Sequence, residues 1–258
     1  MKTIKDQTQV VKILGMRVDP TNYEEACKRV KGWCAEEQGR YICVANVHMT
    51  MEAYDSPEYQ NVVNQADLVT PDGMPLVWML RRMGFPDQQR VYGPTLTEKL
   101  LDMAARERIP VGFFGSTEGV VRQLVQNVRS SYPELEIVYS YSPPFNEPTA
   151  EEDEAIIDRI NHSHARILFI GLGCPKQEKW MHEHEDAIPA VMIGVGAAFD
   201  FIAGMKPQAP NWIQKSGMEW FFRLITEPKR LWKRYFYHNP RFIYLAAIQL
   251  LRRKRVTD

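Results

Sequence analysis

Short, uniformly apolar runs alternate along this chain with longer amphipathic stretches, and no internal repeat or low-complexity tract interrupts them. Apolar runs of four to six residues bounded by turn formers read as strands buried on both faces. They predict strands at Tyr41–Ala45, Ala66–Thr70, Pro110–Phe114, Leu135–Tyr139, Ile167–Ile170 and Val191–Val195. Helical periodicity between them predicts helices at Tyr23–Gln38, Ser56–Gln65, Met74–Met83, Leu96–Arg106, Thr117–Ser130, Ala150–Asn161 and Lys176–His184. This alternation indicates an α/β protein with a largely parallel sheet, and right-handed crossovers put helices on both faces.

From Pro207 the pattern changes. Aromatic and basic residues interleave, and Pro207, Pro210, Pro228 and Pro240 predict a series of short helices. A boundary is expected between Gly204 and Pro207, giving an α/β body over 1–204 and an appendage over 205–258. For 258 residues, one main core plus an appendage fits better than two equal domains.

The formal net charge of zero conceals an asymmetry: from Met205 onward twelve basic residues face three acidic ones, leaving +9 on the appendage and −9 on the body. A basic, aromatic tail on an acidic body suggests an anionic partner such as phospholipid headgroups, a diphosphate or nucleic acid. The stretch Phe236–Leu251 contains His238, Asn239, Pro240 and Arg241, too short and too polar to span a bilayer, although it could lie on one. Ordinary core packing is the other reading of its aromatics. Cys27, Cys34, Cys43 and Cys174 form no CxxC pair, and no apolar run follows the charged start, so a cytoplasmic location is expected.

Three expected strand ends run into glycine-containing loops: Gly112-Phe-Phe-Gly115, Gly171-Leu-Gly173-Cys-Pro-Lys-Gln177 and Gly194-Val-Gly196-Ala-Ala-Phe-Asp200. Backbone amides at such loops suit phosphate oxygens, and ligands of open α/β sheets gather at the carboxyl ends of the strands. Glycine merely permitting tight turns is the alternative for any one of them. Neither G-x-G carries the third glycine of the dinucleotide fingerprint and no Walker lysine follows, which argues against NAD binding and ATP hydrolysis.

Asp72, in Pro71-Asp72-Gly73, stands just past a buried strand and is the leading general-base candidate; a turn aspartate is the competing reading. Asn46 and His48 follow another strand end. The histidines show no HExxH or similar spacing, so no metal site is expected. Arg90 is either a diphosphate clamp or a solvated arginine, and Gln177 either faces the same rim or caps its helix.

Asn46, Pro71-Asp72-Gly73, Arg90-Val-x-Gly93, the Gly171-to-Gln177 loop, the Gly194-to-Asp200 loop, Pro210-x-Trp212 and Gly217-Met-Glu-Trp220-Phe-Phe-Arg223 through Arg230 together resemble the WecG/TagA/CpsF glycosyltransferase family. The match runs in order from Ile13 to Tyr235. The resemblance implies a Rossmann-like α/β domain with a helical basic C-terminal appendage. It also implies an inverting, metal-independent transfer from a UDP-sugar to a polyprenyl-diphosphate-linked saccharide, peripherally at the inner face of the membrane, with no cofactor.

By that resemblance Asp72 is the base, with Arg90 beside it. Asn46, Thr95 and Gln177 line the pocket, and Gly173, Gly194, Gly196, Asp200 and the Pro143-Pro144-Phe145 loop hold the nucleotide. Arg223, Arg230 and Arg234 of the appendage close over it and bring it to the membrane. Val44 stands where threonine is frequent and Thr95 where aspartate is, so UDP-glucose and UDP-N-acetylmannosamine both stay open as donors. A nucleic-acid-binding or scaffolding role for the tail is the alternative, opposed by the −9 body. No nucleic-acid partner is expected, and the oligomeric state, including a homo-oligomer, is left open.

Overall fold

The computed structural model describes residues 10–257 except 145 and 147, and it leaves out the side chains of residues 211, 215 and 254–257. Phe145 of the nucleotide-loop expectation, and the side chains of Lys215, Lys254 and Arg255, lie outside the described residues.

The first described element is an antiparallel hairpin, β1 (Val11–Ile13) and β2 (Met16–Val18). Its two turn residues, Leu14 and Gly15, both have positive φ (51° and 87°), the geometry that matches a tight turn to strand twist. The hairpin was not expected, because three-residue strands joined by Leu-Gly carry little signal.

All six expected strands form, with ends shifted by up to two residues: β3 (Arg40–Ala45), β4 (Leu68–Pro71), β5 (Val111–Gly115), β6 (Ile137–Tyr141), β7 (Ile167–Gly171) and β8 (Val191–Gly194). They make one sheet in the order β4-β3-β8-β7-β5-β6, every neighbouring pair parallel. The helices are α1 (Tyr23–Cys34), α2 (Val47–Asp55), α3 (Pro57–Gln65), α4 (Met74–Arg82), α5 (Gly93–Glu107), α6 (Glu118–Ser131), α7 (Ala150–Ser163), α8 (Lys176–Glu183), α9 (Ala198–Ile202), α10 (Asn211–Ser216), α11 (Glu219–Thr226) and α12 (Pro228–Thr257).

Strand alternation divides the core. Tyr41, Cys43, Ala45, Leu168 and Ile170 pack with residues of α2, α3, α4, α7, α8 and α12. Ile42, Val44, Ile167, Phe169 and Ile193 pack with α1, α5, α6 and α9. On the second face Phe113 stacks on Phe169 at 5.6 Å and meets Phe199 edge-on at 5.8 Å, each pair adding about 0.5–1.5 kcal/mol beyond its area.

The appendage corrects one expectation. After α10 and α11 the chain does not continue as short proline-broken helices: α12 runs for 30 residues with Pro240 inside it. Pro210 and Pro228 do open helices, as the N-cap of α10 and the first residue of α12. Pro240 lacks the N–H of one helical bond, but the helix continues through it, held by tertiary contacts. Leu231, Phe242 and Ala246 are buried, Arg241 makes two bonds to Asp55 (2.7 and 2.8 Å), and Gln249 bridges Lys12 and Leu14 of the hairpin (2.7 and 2.9 Å). The opposite face shows Trp232, Phe236, Ile243, Tyr244 and Leu251 at 52–80% exposure, so core packing and an unpartnered apolar stripe coexist on one helix. No helix among the described residues is long and apolar enough to cross a membrane.

The hairpin is pinned by a buried ion pair. Arg17 Nε donates to Asp19 Oδ1 at 2.8 Å, and Asp19 Oδ2 accepts the Val69 amide at 2.8 Å, with Arg17 6% and Asp19 0% exposed. Asp19→Ala strands the arginine and orphans that amide, so stability should fall by about 3–5 kcal/mol in urea unfolding at neutral pH. A loss below about 1 kcal/mol would show that the pair does not hold this corner.

Candidate active site

Four adjacent strands, β4, β3, β8 and β7, deliver their carboxyl ends to one rim. Asn46 follows β3, Asp72 follows β4, the Gly194-to-Gly196 loop follows β8 and the Gly171-to-Gly173 loop follows β7. At about 4.8 Å per strand the rim is roughly 14 Å wide. Asp72 and Gly73 both donate backbone N–H groups to the Ala45 carbonyl (2.8 and 3.1 Å), and a Cβ on Gly73 would lie 3.2 Å from Asn46 Cα. These contacts place Asp72 beside Asn46. The Val91 amide donates to Pro71 at 2.9 Å, which brings Arg90 alongside as well.

Arg90 is neither a solvated arginine nor a free diphosphate clamp in this arrangement. Its Nη2 donates to Asp72 Oδ1 at 3.0 Å, its Nε to the Asp72 carbonyl, and its Nη1 to Glu219 Oε2 of α11 at 2.6 Å. The guanidinium lies 4.2 Å from the centre of the Tyr92 ring. One side chain thus ties the rim carboxylate to the appendage. Glu219, 6% exposed, lies within the Gly217-to-Arg223 stretch of the family resemblance but was not singled out as a site residue, since an acid in the first turn of a helix is ordinary.

Asp72 keeps 17% of its side chain exposed. Burial pushes its carboxyl above the usual value, opposed by Arg90, reinforced by Glu219 and opposed again by Arg223. A raised folded pKa means that its contribution to stability is full at low pH and is lost as pH climbs from the unfolded value through the folded one.

The glycine loops serve packing more than anion binding. The Val195 and Gly196 amides donate to the Ile170 carbonyl (3.0 and 3.2 Å), and the Gly173 amide donates to Gln177 Oε1 (3.2 Å). Gln177 is the local clamp rather than a free rim group: its Nε2 donates to Glu178 Oε1 at 2.6 Å, and a Cβ on Gly194 would come 2.9 Å from it. Glu178, fully buried, also accepts the Tyr59 hydroxyl at 2.9 Å and was not anticipated.

The other expected residues divide. Asn46 caps α2, accepting the Met49 amide at 3.2 Å. Thr95, in the first turn of α5, lies near the Tyr23 hydroxyl, which accepts the Tyr92 amide at 2.9 Å close to Arg90. Asp200 is paired with Lys206 (3.0 Å), which also meets Glu227 (3.1 Å). Arg230 pairs with Glu227 at 2.7 Å. Pro144 is exposed beyond β6, the edge strand opposite β4, and the structure does not bring it to Asp72. A groove of about 850 Å³ between α6 and β6 contains none of the candidates.

Two cations remain underused. Arg223 Nε is buried without a partner and its nearest carboxylate, Glu227, is 3.9 Å away. Arg234 makes no ion pair among the described residues; burial lowers its pKa, Cys174 raises it, and Arg230 and Arg223 lower it further. Arg223 acts electrostatically on Asp72 and Arg234 on Cys174 of the Gly173 loop, so both reach the rim. Half-buried cations that are weakly paired or unpaired are poorly compensated and mark where an anion fits.

The chain matches the family described as "Glycosyl transferase WecG/TagA/CpsF family" over residues 11–256. Among its relatives is the N-acetylglucosaminyldiphosphoundecaprenol N-acetyl-beta-D-mannosaminyltransferase of Bacillus spizizenii, 32% identical over 77% of this chain and 76% of that protein. Proteins of the same name from Bacillus subtilis (29% identical, 79% and 78% covered) and Staphylococcus aureus (28% identical, 88% and 89% covered) are also similar.

The electrostatics around Asp72 can be measured directly. Carbon-13 NMR titration of its carboxyl should give a higher pKa in Arg90→Gln, which loses the opposing cation, and a lower one in Glu219→Gln, which loses the like charge. The reverse order, or no movement in either variant, would break the Arg90 bridge as described.

Proposed function

Because the chain belongs to the glycosyl transferase WecG/TagA/CpsF family, we propose that it moves a hexose or N-acetylhexosamine from a UDP-sugar to a polyprenyl-diphosphate-linked saccharide. Asp72 is the base. Its carboxylate takes the proton of the acceptor hydroxyl as that oxygen bonds to the anomeric carbon. The bond from that carbon to the UDP oxygen breaks from the opposite face, which inverts the centre. UDP leaves with growing negative charge. Arg223 and Arg234 offset it, so the step requires no catalytic metal and no cofactor. The single observation that carries this reading is a partly exposed rim carboxylate beside two arginines, one of which (Arg234) has no ion pair among the described residues while the other (Arg223) meets its carboxylate, Glu227, only at 3.9 Å.

Donor choice rests on Val44 and Thr95. Val44 lies against Gly93, whose Cβ would come 3.3 Å from it, and Thr95 presents a hydroxyl where relatives by resemblance carry a carboxylate. The names of the relatives favour UDP-N-acetylmannosamine, with N-acetylglucosamine-diphosphoundecaprenol as acceptor; UDP-glucose stays the second donor to test. The exposed stripe Trp232, Phe236, Ile243, Tyr244 and Leu251 would seat α12 in the headgroup region. Basic residues flanking it gain about 1 kcal/mol each near an anionic surface. The enzyme then acts peripherally at the inner face of the membrane, where its acceptor is anchored.

One assay tests both halves. Purified protein is given UDP-N-acetylmannosamine or UDP-glucose and either a short-chain acceptor in solution or the same saccharide in phosphatidylglycerol vesicles. Asp72→Asn should bind UDP normally and lose turnover by about 10²–10⁴-fold on both acceptors. Phe236→Ser combined with Tyr244→Ser should keep turnover in solution and lose it on vesicles. Near-normal turnover by Asp72→Asn would remove the base, and full vesicle activity in the double variant would remove the membrane-seating role.

A further inference from the structure

His48, Glu52 and His238 stand together outside the transfer chemistry. His48 and Glu52 are one helical turn apart on α2, and His238 comes from α12, packed against it. Each imidazole Nε2 lies 3.5 Å from the same carboxylate oxygen, Glu52 Oε1, and the three ligand atoms fall within 4.8 Å of one another. The two rings meet edge to face at 5.3 Å.

This cluster is poorly satisfied by its own atoms. A separation of 3.5 Å is beyond a good hydrogen bond, and among the described residues neither histidine makes one. His238 Nδ1 is buried without any partner, and the His48 and His238 side chains are 14% and 11% exposed. Buried polar groups ordinarily find partners, and those that do not call for an explanation. A shared ion would use the Nε2 lone pairs of both rings, which no good hydrogen bond occupies, and would fix the His238 Nδ1 as an N–H donor. Nitrogen and oxygen ligands about 2.0–2.2 Å from a tetrahedral Zn²⁺ lie roughly 3.4 Å apart, close to the spacing found here.

We infer that His48, Glu52 and His238 form a site for a divalent transition-metal ion such as Zn²⁺, which fastens α12 to α2. Two imidazoles and one carboxylate select zinc-like ions over Mg²⁺ or Ca²⁺, which prefer all-oxygen shells. Glu52 is 36% exposed, which leaves an open side for a water as fourth ligand. Metal binding requires neutral imidazoles, so affinity for the ion should rise with pH through the histidine range. Arg234 carries its charge close to His48, which opposes a cation and weakens the site without closing it. The role is structural: α2 begins at its cap Asn46 and α12 carries Arg234, so an ion between them fixes the appendage against the rim. The site stands whether or not the glycosyl-transfer reading holds.

Titrating full-length protein with Co²⁺ tests it. One Co²⁺ per chain should bind, give the visible absorption of a low-coordinate ion and be displaced by Zn²⁺. His48→Ala and His238→Ala should each weaken binding by at least about tenfold, and Glu52→Gln less, while the exposed His164→Ala should change nothing. Unsubstituted protein provides an independent check, since one equivalent of Zn²⁺ should raise its Tm and slow tryptic release of the C-terminal helix. Co²⁺ binding that survives in His48→Ala/Glu52→Gln/His238→Ala, or a wild type whose Tm and proteolysis ignore Zn²⁺, would overturn the site.

Discussion

A guanidinium held between two carboxylates organises this molecule. Arg90 is 16% exposed and bonded to Asp72 on one side and Glu219 on the other, so the rim of the sheet and the first helices of the appendage share one charge. Removing either acid leaves a largely buried cation short of a partner, an imbalance of the kind that costs several kcal/mol in protein interiors. The bridge also sets the local sign. Two acids on one arginine leave a net negative centre, and beside it gather Arg223, loosely paired with Glu227 at 3.9 Å, and Arg234, which makes no ion pair among the described residues.

That distribution assigns different tasks to the glycine loops and the arginines. Loop amides at Val195, Gly196 and Gly173 are already bonded within the protein, and Gly194 is small because Gln177 and Met181 pack where a Cβ would be. The loops therefore shape the rim. On the proposed reading, charge for a leaving diphosphate comes instead from Arg223 and Arg234, side chains that the docked appendage delivers. The proposed chemistry then depends on the position of α11 and α12, which carry both arginines.

Much of the fold was legible because parallel strands buried on both faces must be apolar at every position; β7 and β8 could hardly be read otherwise. Helices with a strong polar side, such as α6, were equally plain. The hairpin escaped because three-residue strands fall below any periodic signal and Leu14 adopts positive φ without being glycine or asparagine. α2 was hidden by its short, weakly amphipathic sequence, although Asn46 is a regular cap. Pro240 suggested a helix end, and tertiary contacts from Phe242, Ala246 and Arg241 overrode it. At the site, Asp72 and Arg90 could be nominated from the chain, but their pairing with Glu219 could not, because 129 residues separate Arg90 from its partner. The same holds for His48, Glu52 and His238: the histidines showed no ligand spacing in the sequence, because the third member of the cluster comes from the far end of the chain.

The most direct test of the account is a crystal structure of the full chain with UDP bound. The diphosphate should rest against Arg223 and Arg234, with the Asp72 carboxyl facing the side where the sugar would be and Arg90 still joined to Glu219. A diphosphate seated on the glycine-loop amides with Arg223 and Arg234 turned away, or bound beyond β6 on the opposite edge of the sheet, would contradict it.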